Sequence, residues 1–274
     1  MKAIQSALIW AAEVGLILLW LPLLAVVRLF DRDPAHYTTG RLFRLLGNAM
    51  TRVNPLWNVH VEGDFPADPR HPYVVVANHQ SSADIPVICR LPWEMKWVAK
   101  AEMFRLPVAG WLMRLAGDIP VDRKDTASRT RVLVTAQRTL RHRCSVMFFP
   151  EGTRSRDGRV RRFQTGAFRL AIEAGVPILP LALDGTRDAL PKNGWVFGNA
   201  IHARLKVLPP ISTEGLGADD VDALTARTRD SIIAQIAAWR GTHPEDIDAL
   251  AVRASGTATP GSMNGVEETA KTSR

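Results

Sequence analysis

A polar cluster follows an apolar run in the segment VVVANHQSSADIP, residues 74–86. His79 and Asp84 lie five residues apart here, across the turn that follows a predicted buried strand. The carboxylate can accept one ring N–H of the imidazole, which leaves the other ring nitrogen to take a proton from a hydroxyl group. This is the histidine and acid half of a hydrolytic triad without a serine of the protein, so the nucleophile can be the substrate's hydroxyl. A hydrogen-bonded structural histidine is the alternative.

The same spacing occurs at His243 and Asp248, in the segment HPEDID, where no strand precedes the histidine. Spacing alone therefore carries little weight. We interpret this second occurrence as chance, because the strand and the turn distinguish the first.

Three further segments combine apolar strands with arginine, glycine or proline: GDIPVDR (residues 117–123), FPEGTRSRDG (149–158) and VPILPLAL (176–183). Gly152 permits close backbone approach, and Arg154 offers the forked donor that suits phosphate. The third segment either lines an apolar pocket or forms core. For the arginines, the alternatives are a solvated basic face and a patch for RNA.

The net charge of +8 and the pI near 10.1 predict attraction to nucleic acid, an anionic membrane or a phosphorylated substrate. No RRM-like aromatic motif or KH-type loop supports RNA, and we do not expect a nucleic-acid partner. Cys89 and Cys144, the only cysteines, lie in apolar segments that look like core. Two cysteines and seven histidines without paired ligand spacing predict neither a disulfide framework nor a metal site.

An apolar segment at the amino terminus, ALIWAAEVGLILLWLPLLAVV (Ala7 to Val27), contains one charged residue, Glu13. A helix of that length reaches about 30 Å, the thickness of a bilayer core. A cleaved signal peptide is disfavoured, because the segment is too long and no small-residue cleavage site follows it. Glu13 and Pro22 leave open a kinked helix, or one that enters a single leaflet.

Basic residues are concentrated after this segment: Arg28, Arg32, Arg41, Arg44 and Arg52 follow it, and Lys2 precedes it. This bias predicts a membrane-associated protein whose globular domain lies on the cytoplasmic face. Residues 42–50 (LFRLLGNAM) have the apolar spacing of a second, amphipathic helix at the membrane surface, or of an ordinary core-facing helix.

Strand-like and helix-like segments alternate from Asn58 onward, which predicts an α/β fold with a mixed, largely parallel sheet flanked by helices. Predicted helices include residues 101–115, 126–141 and 218–240. We expect membrane-anchoring helices in residues 1–56, one domain in 57–253, and a disordered tail in 254–274 because its small polar residues have nothing to bury.

The segments NHQSSAD, GDIPVDR, FPEGTRS and VPILPLAL, in this order and at these separations, resemble the four motifs of the glycerolipid acyltransferase family. Its common members are 1-acylglycerol-3-phosphate acyltransferases. The resemblance covers about Val59 to Leu208 and implies the fold of that family. Four ordered motifs are far more specific than any one of them.

The resemblance implies transfer of an acyl chain from acyl-CoA or acyl carrier protein to the sn-2 hydroxyl of a lysophospholipid, 1-acyl-sn-glycerol 3-phosphate, at a membrane. It makes His79 the general base and Asp84 its orienting partner. The substrate-binding residues that it implies are Asn78, Ser81, Arg123, Glu151, Gly152, Thr153 and Arg154. It implies no metal and no bound cofactor, and the acceptor hydroxyl attacks without an acyl-enzyme intermediate.

One departure concerns the acceptor. Many members carry a lysine between phenylalanine and glycine after the third motif, where this chain has Gln164 and Thr165. Either Arg161 or Arg162 takes over the phosphate contact, or the acceptor lacks a phosphate, as an N-acylated amino-acid lipid does. A non-catalytic basic membrane adaptor is the alternative from another class.

Overall fold

The computed structural model describes residues 1–190 and 194–251. Its seven-stranded sheet has the order β1-β7-β6-β2-β5-β3-β4. The strands are β1 (Trp57–Gly63), β2 (Val74–Ala77), β3 (Met95–Lys100), β4 (Ile119–Val121), β5 (Ser145–Phe148), β6 (Ile178–Asp184) and β7 (Ile201–Val207). Only β6 and β7 pair antiparallel within this sheet. The predicted mixed, largely parallel sheet is confirmed.

Helices flank the sheet on both faces. They are α1 (Lys2–Phe30), α2 (Tyr37–Val53), α3 (Asp84–Ile88), α4 (Ala109–Ala116), α5 (Thr126–Arg141), α6 (Gly166–Ala174), α7 (Val221–Arg240) and α8 (Pro244–Ile247). Side chains alternate along a strand, so Val74 and Val76 pack with α5, α6 and α7, whereas Val75 and Ala77 pack with α3 on the opposite face. The sheet therefore has two buried faces.

The helix predicted over residues 101–115 is wrong as a single element. The chain forms a 3₁₀ turn over Ala101–Arg105, and α4 begins only at Ala109. Pro107 explains the break, because proline has no N–H and disfavours helical geometry in the residue before it. The predicted tail over residues 254–274 lies outside the described residues.

Helix α1 is the one helix in the described ranges that is long and apolar enough to cross a bilayer, with a mean hydropathy of 2.1 over its most apolar window. It nevertheless touches the rest of the protein at both ends. Lys2 Nζ donates to Asn199 Oδ1 at 3.1 Å, and Trp10 Nε1 donates to the Trp195 carbonyl at 2.7 Å. Near the other end Leu24 is fully buried against α2 and α4. Helix α1 thus lies along the side of the domain.

Four buried charged side chains join α2 to the sheet. Arg44 pairs with Asp118, and its Nε lies 3.4 Å from Glu94 Oε2. Lys96 Nζ donates to Glu94 Oε1 at 3.0 Å and to the Ala116 carbonyl at 2.7 Å. Burial raises the pKa of the Glu94 carboxyl, and the neighbouring Lys96 and Arg44 oppose that rise. We call this set the buried charge cluster.

Replacing Arg44 with methionine should lower the free energy of unfolding by about 3–5 kcal/mol, because Asp118 and Glu94 would remain buried without their partner. Denaturant unfolding in detergent measures this. Arg131→Met is the control, since Arg131 and Asp125 form a pair whose side chains are 69% and 46% exposed, and its loss should cost less than about 1 kcal/mol. Equal losses of unfolding free energy in Arg44→Met and Arg131→Met would contradict the stabilising role of the buried charge cluster.

Candidate active site

The carboxyl ends of three neighbouring strands bring the candidate residues together. Strands β5 and β6 both run parallel to β2, so the residues that follow all three meet at one edge of the sheet. His79 follows β2, Phe149 follows β5 and Thr186 follows β6. This edge is the usual ligand position in open α/β sheets.

The Asp84 carboxylate is the centre of the hydrogen bonds at this edge. Its Oδ2 accepts from the backbone N–H groups of Gln80 and Ser81, at 2.7 and 3.0 Å, and from His79 Nδ1 at 2.7 Å. Its Oδ1 accepts from the Thr186 hydroxyl. Asp84 is 0% exposed. The turn, the imidazole and the end of β6 are therefore held by one buried carboxylate.

His79 has the orientation that a general base requires. Since an ionised carboxylate only accepts hydrogen bonds, the proton is assigned to Nδ1, and Nε2 is left to accept a proton. The ring stacks on Phe149 with a centroid distance of 4.0 Å. The side chain is 16% exposed, so a substrate can reach it. Sequence and structure agree on this pair.

Glu151 supports the backbone of the loop that carries the histidine. Its Oε1 accepts from the His79 N–H at 2.8 Å, and its Oε2 accepts from the Arg161 N–H at 3.2 Å. Burial raises the pKa of the Glu151 carboxyl to about 7, against the lowering effect of these two bonds. Both carboxylate oxygens of Glu151 therefore accept hydrogen bonds from backbone N–H groups of the protein.

Asn78 and Ser81 are also engaged within the protein. Asn78 is 1% exposed, and its amide pairs with both the N–H and the carbonyl of Leu183, at 2.8 Å each. Ser81 is 7% exposed, and its Oγ accepts from the Ala83 N–H at 3.3 Å. These contacts fix β2 on β6 and shape the turn.

The two arginines implied by the resemblance line different clefts. Arg123 lies in a cleft of about 460 Å³ with Phe149, Gly152 and the start of α6, which we call the Arg123 cleft. Arg154 lies in a cleft of about 590 Å³ with Thr153, Arg156 and Arg187, together with Gln80 and Ser81, which we call the Arg154 cleft. Arg154 also donates to Ser82 Oγ at 3.0 Å. The structure therefore does not bring Arg123 and Arg154 together.

The departure at Gln164 and Thr165 falls inside the Arg123 cleft. Gly152 has a φ of +73°, and a Cβ there would approach Gln164 Nε2 to 2.6 Å, so a glycine is required. Arg161 and Arg162 line a neighbouring cleft with Glu151, and Arg123 is not among its lining residues. The second basic residue of the Arg123 cleft is instead Arg129, from α5.

An apolar cavity of about 490 Å³ lies beside the turn that follows His79. It is enclosed by α1, α2, α3 and α4, and Ser82, Ala83 and Trp97 also line it. Trp97 lies 5.9 Å from Phe149, the ring that stacks on His79. Residues around His79 therefore line an apolar cavity and two basic clefts: Ala83 lines the cavity, Phe149 lines the Arg123 cleft, and Gln80 lines the Arg154 cleft.

Sequence reasoning missed Thr186 and Arg129. Thr186 follows the fourth motif by three residues, and a hydroxyl directly after a strand at this edge was the available signal. Arg129 lies on a helix between two motifs, where no local pattern separates it from solvent-facing arginines. The second His–Asp spacing does not form a His–Asp pair among the described residues: His243 is exposed, and Asp248 pairs with Arg229.

Within residues 1–190 and 194–251, no group of three or more histidine, cysteine, aspartate or glutamate side chains is placed to hold a metal ion. Cys89 and Cys144 are buried free thiols.

Comparison with known proteins agrees with this arrangement. The Acyltransferase family model matches residues 58–184, which contain His79, Asp84 and the turn carrying Arg154. The chain belongs to the glycerolipid acyltransferase family.

Its relatives include 1-acyl-sn-glycerol-3-phosphate acyltransferase alpha from Homo sapiens, 37% identical over 78% of this chain and 76% of that protein. The Mus musculus protein of that name is 41% identical over 64% of this chain, which spans 62% of its length. The Salmonella typhimurium 1-acyl-sn-glycerol-3-phosphate acyltransferase is 32% identical over 72% of this chain and 79% of that protein.

A solved structure has the same fold. The crystal structure of the 1-acyl-sn-glycerophosphate (LPA) acyltransferase from Thermotoga maritima superposes with a TM-score of 0.67 at 25% identity. The match covers 86% of this chain and 98% of the Thermotoga maritima chain.

Replacing His79 with alanine should lower kcat by about 10²- to 10⁴-fold, because the acceptor hydroxyl loses its base. Asp84→Asn should also be severe, since it can favour the wrong imidazole tautomer. Thiol release from acyl-CoA measures both. His243→Ala is the matched control and should retain full activity. Full activity in a purified His79→Ala variant would exclude this mechanism.

Replacing Glu151 with glutamine should lower kcat about 10-fold and leave the acceptor KM within about 3-fold. The two N–H groups donate to different carboxylate oxygens, and glutamine replaces one of these oxygens with an NH₂ donor. Steady-state kinetics with varied acceptor separate the two constants. A large rise in acceptor KM at constant kcat would instead place Glu151 on the substrate.

Proposed function

We propose that the protein transfers an acyl chain from an acyl thioester to the sn-2 hydroxyl of 1-acyl-sn-glycerol 3-phosphate, which gives phosphatidic acid. The observation that carries this proposal is the His79–Asp84 pair, with Nε2 available and with neighbouring residues that line an apolar cavity and a basic cleft. Ser82 and Ala83 line the cavity, and Phe149, which stacks on His79, lines the Arg123 cleft. An acceptor with an acyl chain, a hydroxyl and a phosphate matches these surroundings. The names of the relatives support the same substrate.

In the proposed reaction, His79 Nε2 takes the proton of the acceptor hydroxyl as its oxygen attacks the thioester carbonyl carbon. The new C–O bond forms, the C–S bond breaks, and the leaving thiolate receives the proton from the imidazolium. Asp84 stabilises that imidazolium through Nδ1. The acceptor itself is the nucleophile, so catalysis consists of positioning and proton transfer.

The Arg123 cleft is the proposed site of the acceptor phosphate. Arg123 and Arg129 supply two positive charges there, and their forked donors suit a terminal phosphate. Helix α6 begins at the same cleft, and its cap residue Thr165 makes no side-chain hydrogen bond to it. The N–H groups of its first turn therefore add favourable potential for an anion. Arg129 supplies the cation that the missing lysine would have given.

The Arg154 cleft is the proposed site for phosphate groups of the acyl donor, which acyl-CoA and the phosphopantetheine arm of acyl carrier protein both carry. Arg154, Arg156 and Arg187 line it beside Gln80 and Ser81, which follow the base directly. Two separate basic clefts fit a reaction whose two substrates both carry phosphate.

We propose that α1 and α2 anchor the protein in the cytoplasmic leaflet, without crossing the bilayer. Lys2 at one end of α1 and Leu24 near the other both contact the same domain, which a crossing helix cannot do unless the domain crosses too. Exposed apolar side chains remain along α1, including Leu8, Leu18, Leu19, Val26 and Phe30. They provide the surface that enters the lipid.

Replacing Arg123 or Arg129 with lysine should raise the KM for lysophosphatidate at least about 10-fold, because an ammonium group cannot reproduce the bidentate contact. Arg154→Lys should instead raise the KM for acyl-CoA. Kinetics with each substrate varied in turn measure both. If the Arg123 and Arg129 variants raised the KM for acyl-CoA and Arg154→Lys raised the KM for lysophosphatidate, the proposed use of the two clefts would be overturned.

A panel of acceptors tests the substrate itself. Lysophosphatidate should react faster than lysophosphatidylcholine, glycerol 3-phosphate and an N-acyl amino-acid lipid. Preference for the amino-acid lipid, unchanged in Arg123→Lys, would overturn the acceptor and leave the role of His79 standing.

A further inference from the structure

Glu13 is a carboxyl group in the wall of the apolar cavity. It lies on α1, is 4% exposed, and lines the cavity beside Trp10 and Ile17. No residue in the described ranges forms a hydrogen bond or an ion pair with it. The other charged side chains of this wall, Arg44 and Asp118, pair with each other in the buried charge cluster.

The wall holds a second polar group that makes no hydrogen bond within the described residues. Trp97 Nε1 is buried and lacks an acceptor among the described residues. Trp97 lies one ring beyond Phe149, so this part of the cavity is near the base. The cavity therefore combines a hydrogen-bond donor and a carboxyl group with a lining that is otherwise mostly apolar.

An unbranched hydrocarbon chain would leave both groups unpaired. A polar group buried without a partner destabilises the complex, and a leucine at position 13 would suit such a chain better. A carboxyl group does suit a hydroxyl on the chain, because it accepts the O–H hydrogen bond where water is excluded.

We infer that the apolar cavity selects an acyl chain bearing a hydroxyl group, and that Glu13 accepts the hydrogen bond from that hydroxyl. The inference rests on the proposed acyl transfer, in which this cavity holds a chain. The hydroxylated chain belongs either to the acyl donor or to the lysophosphatidate acceptor. Glu13 is a specificity-determining residue for that chain and takes no part in the proton transfer.

The test is a competition in one reaction with the full-length protein in detergent. In the donor arm, equal concentrations of palmitoyl-CoA and its 3-hydroxy or 12-hydroxy derivative react with lysophosphatidate. In the acceptor arm, the same pairs of chains are carried by the lysophosphatidate, and palmitoyl-CoA is the donor. Mass spectrometry of the phosphatidic acids gives the ratio of the two kcat/KM values, which does not depend on how much enzyme is active.

Wild-type protein should favour a hydroxylated chain about 3- to 10-fold in one arm, as expected for one hydrogen bond. Glu13→Leu should lose that preference and retain activity on the plain chain, and Glu13→Gln should keep most of it. If Glu13→Leu gives too little product, Glu13→Ala is measured in its place. It should show the same loss of preference, that is, a ratio of kcat/KM values near one.

Three results would overturn the inference: no preference in either wild-type arm, a preference unchanged in Glu13→Leu, or equal loss in Glu13→Gln and Glu13→Leu. Absence of product from every substrate would instead overturn the proposed acyl transfer, and the inference with it.

Discussion

A carboxylate that is fully removed from water must have its oxygens satisfied by the protein, and Asp84 is such a group. Its partners come from the turn after β2, from the His79 imidazole and from Thr186, which follows β6. Moving any of them would leave a buried charge short of a partner. The orientation of the base therefore depends on the register of the sheet.

The residues near this carboxylate were predictable because their relation is local. His79 and Asp84 share one turn, and a strand followed by polar residues is visible in the sequence. The parallel sheet was predictable too, since alternating strands and helices allow few other arrangements. Both predictions use short stretches of chain.

Residues that meet only through the fold were not predictable in the same way. Arg129 faces a cleft because α5 packs beside β4, and Thr186 reaches Asp84 across 102 residues of sequence. The family resemblance made both Arg123 and Arg154 substrate-binding residues, but two loops at the same sheet edge can open into different clefts. Side-chain direction at the end of a strand decides this, and sequence spacing does not report it.

The two surroundings of the base arise from the geometry of one strand. Trp97 and Val98 are neighbours in β3 and therefore point to opposite faces of the sheet. Trp97 lines the apolar cavity, and Val98 lines the Arg123 cleft. An apolar surface and a basic surface of the protein therefore adjoin at the edge of β3, and the proposed amphipathic substrate has a part that suits each.

The buried charge cluster also bears on how the protein is made. Arg44 emerges from the ribosome 74 residues before Asp118, the partner that neutralises it within the apolar interior. Before Asp118 has been synthesised, burying the Arg44 guanidinium in the apolar interior would cost several kcal/mol. Helix α2 consequently reaches its final place only after β3 and the start of β4 have been synthesised. Docking of the amino-terminal helices onto the sheet therefore follows the synthesis of Asp118, although these helices are translated first.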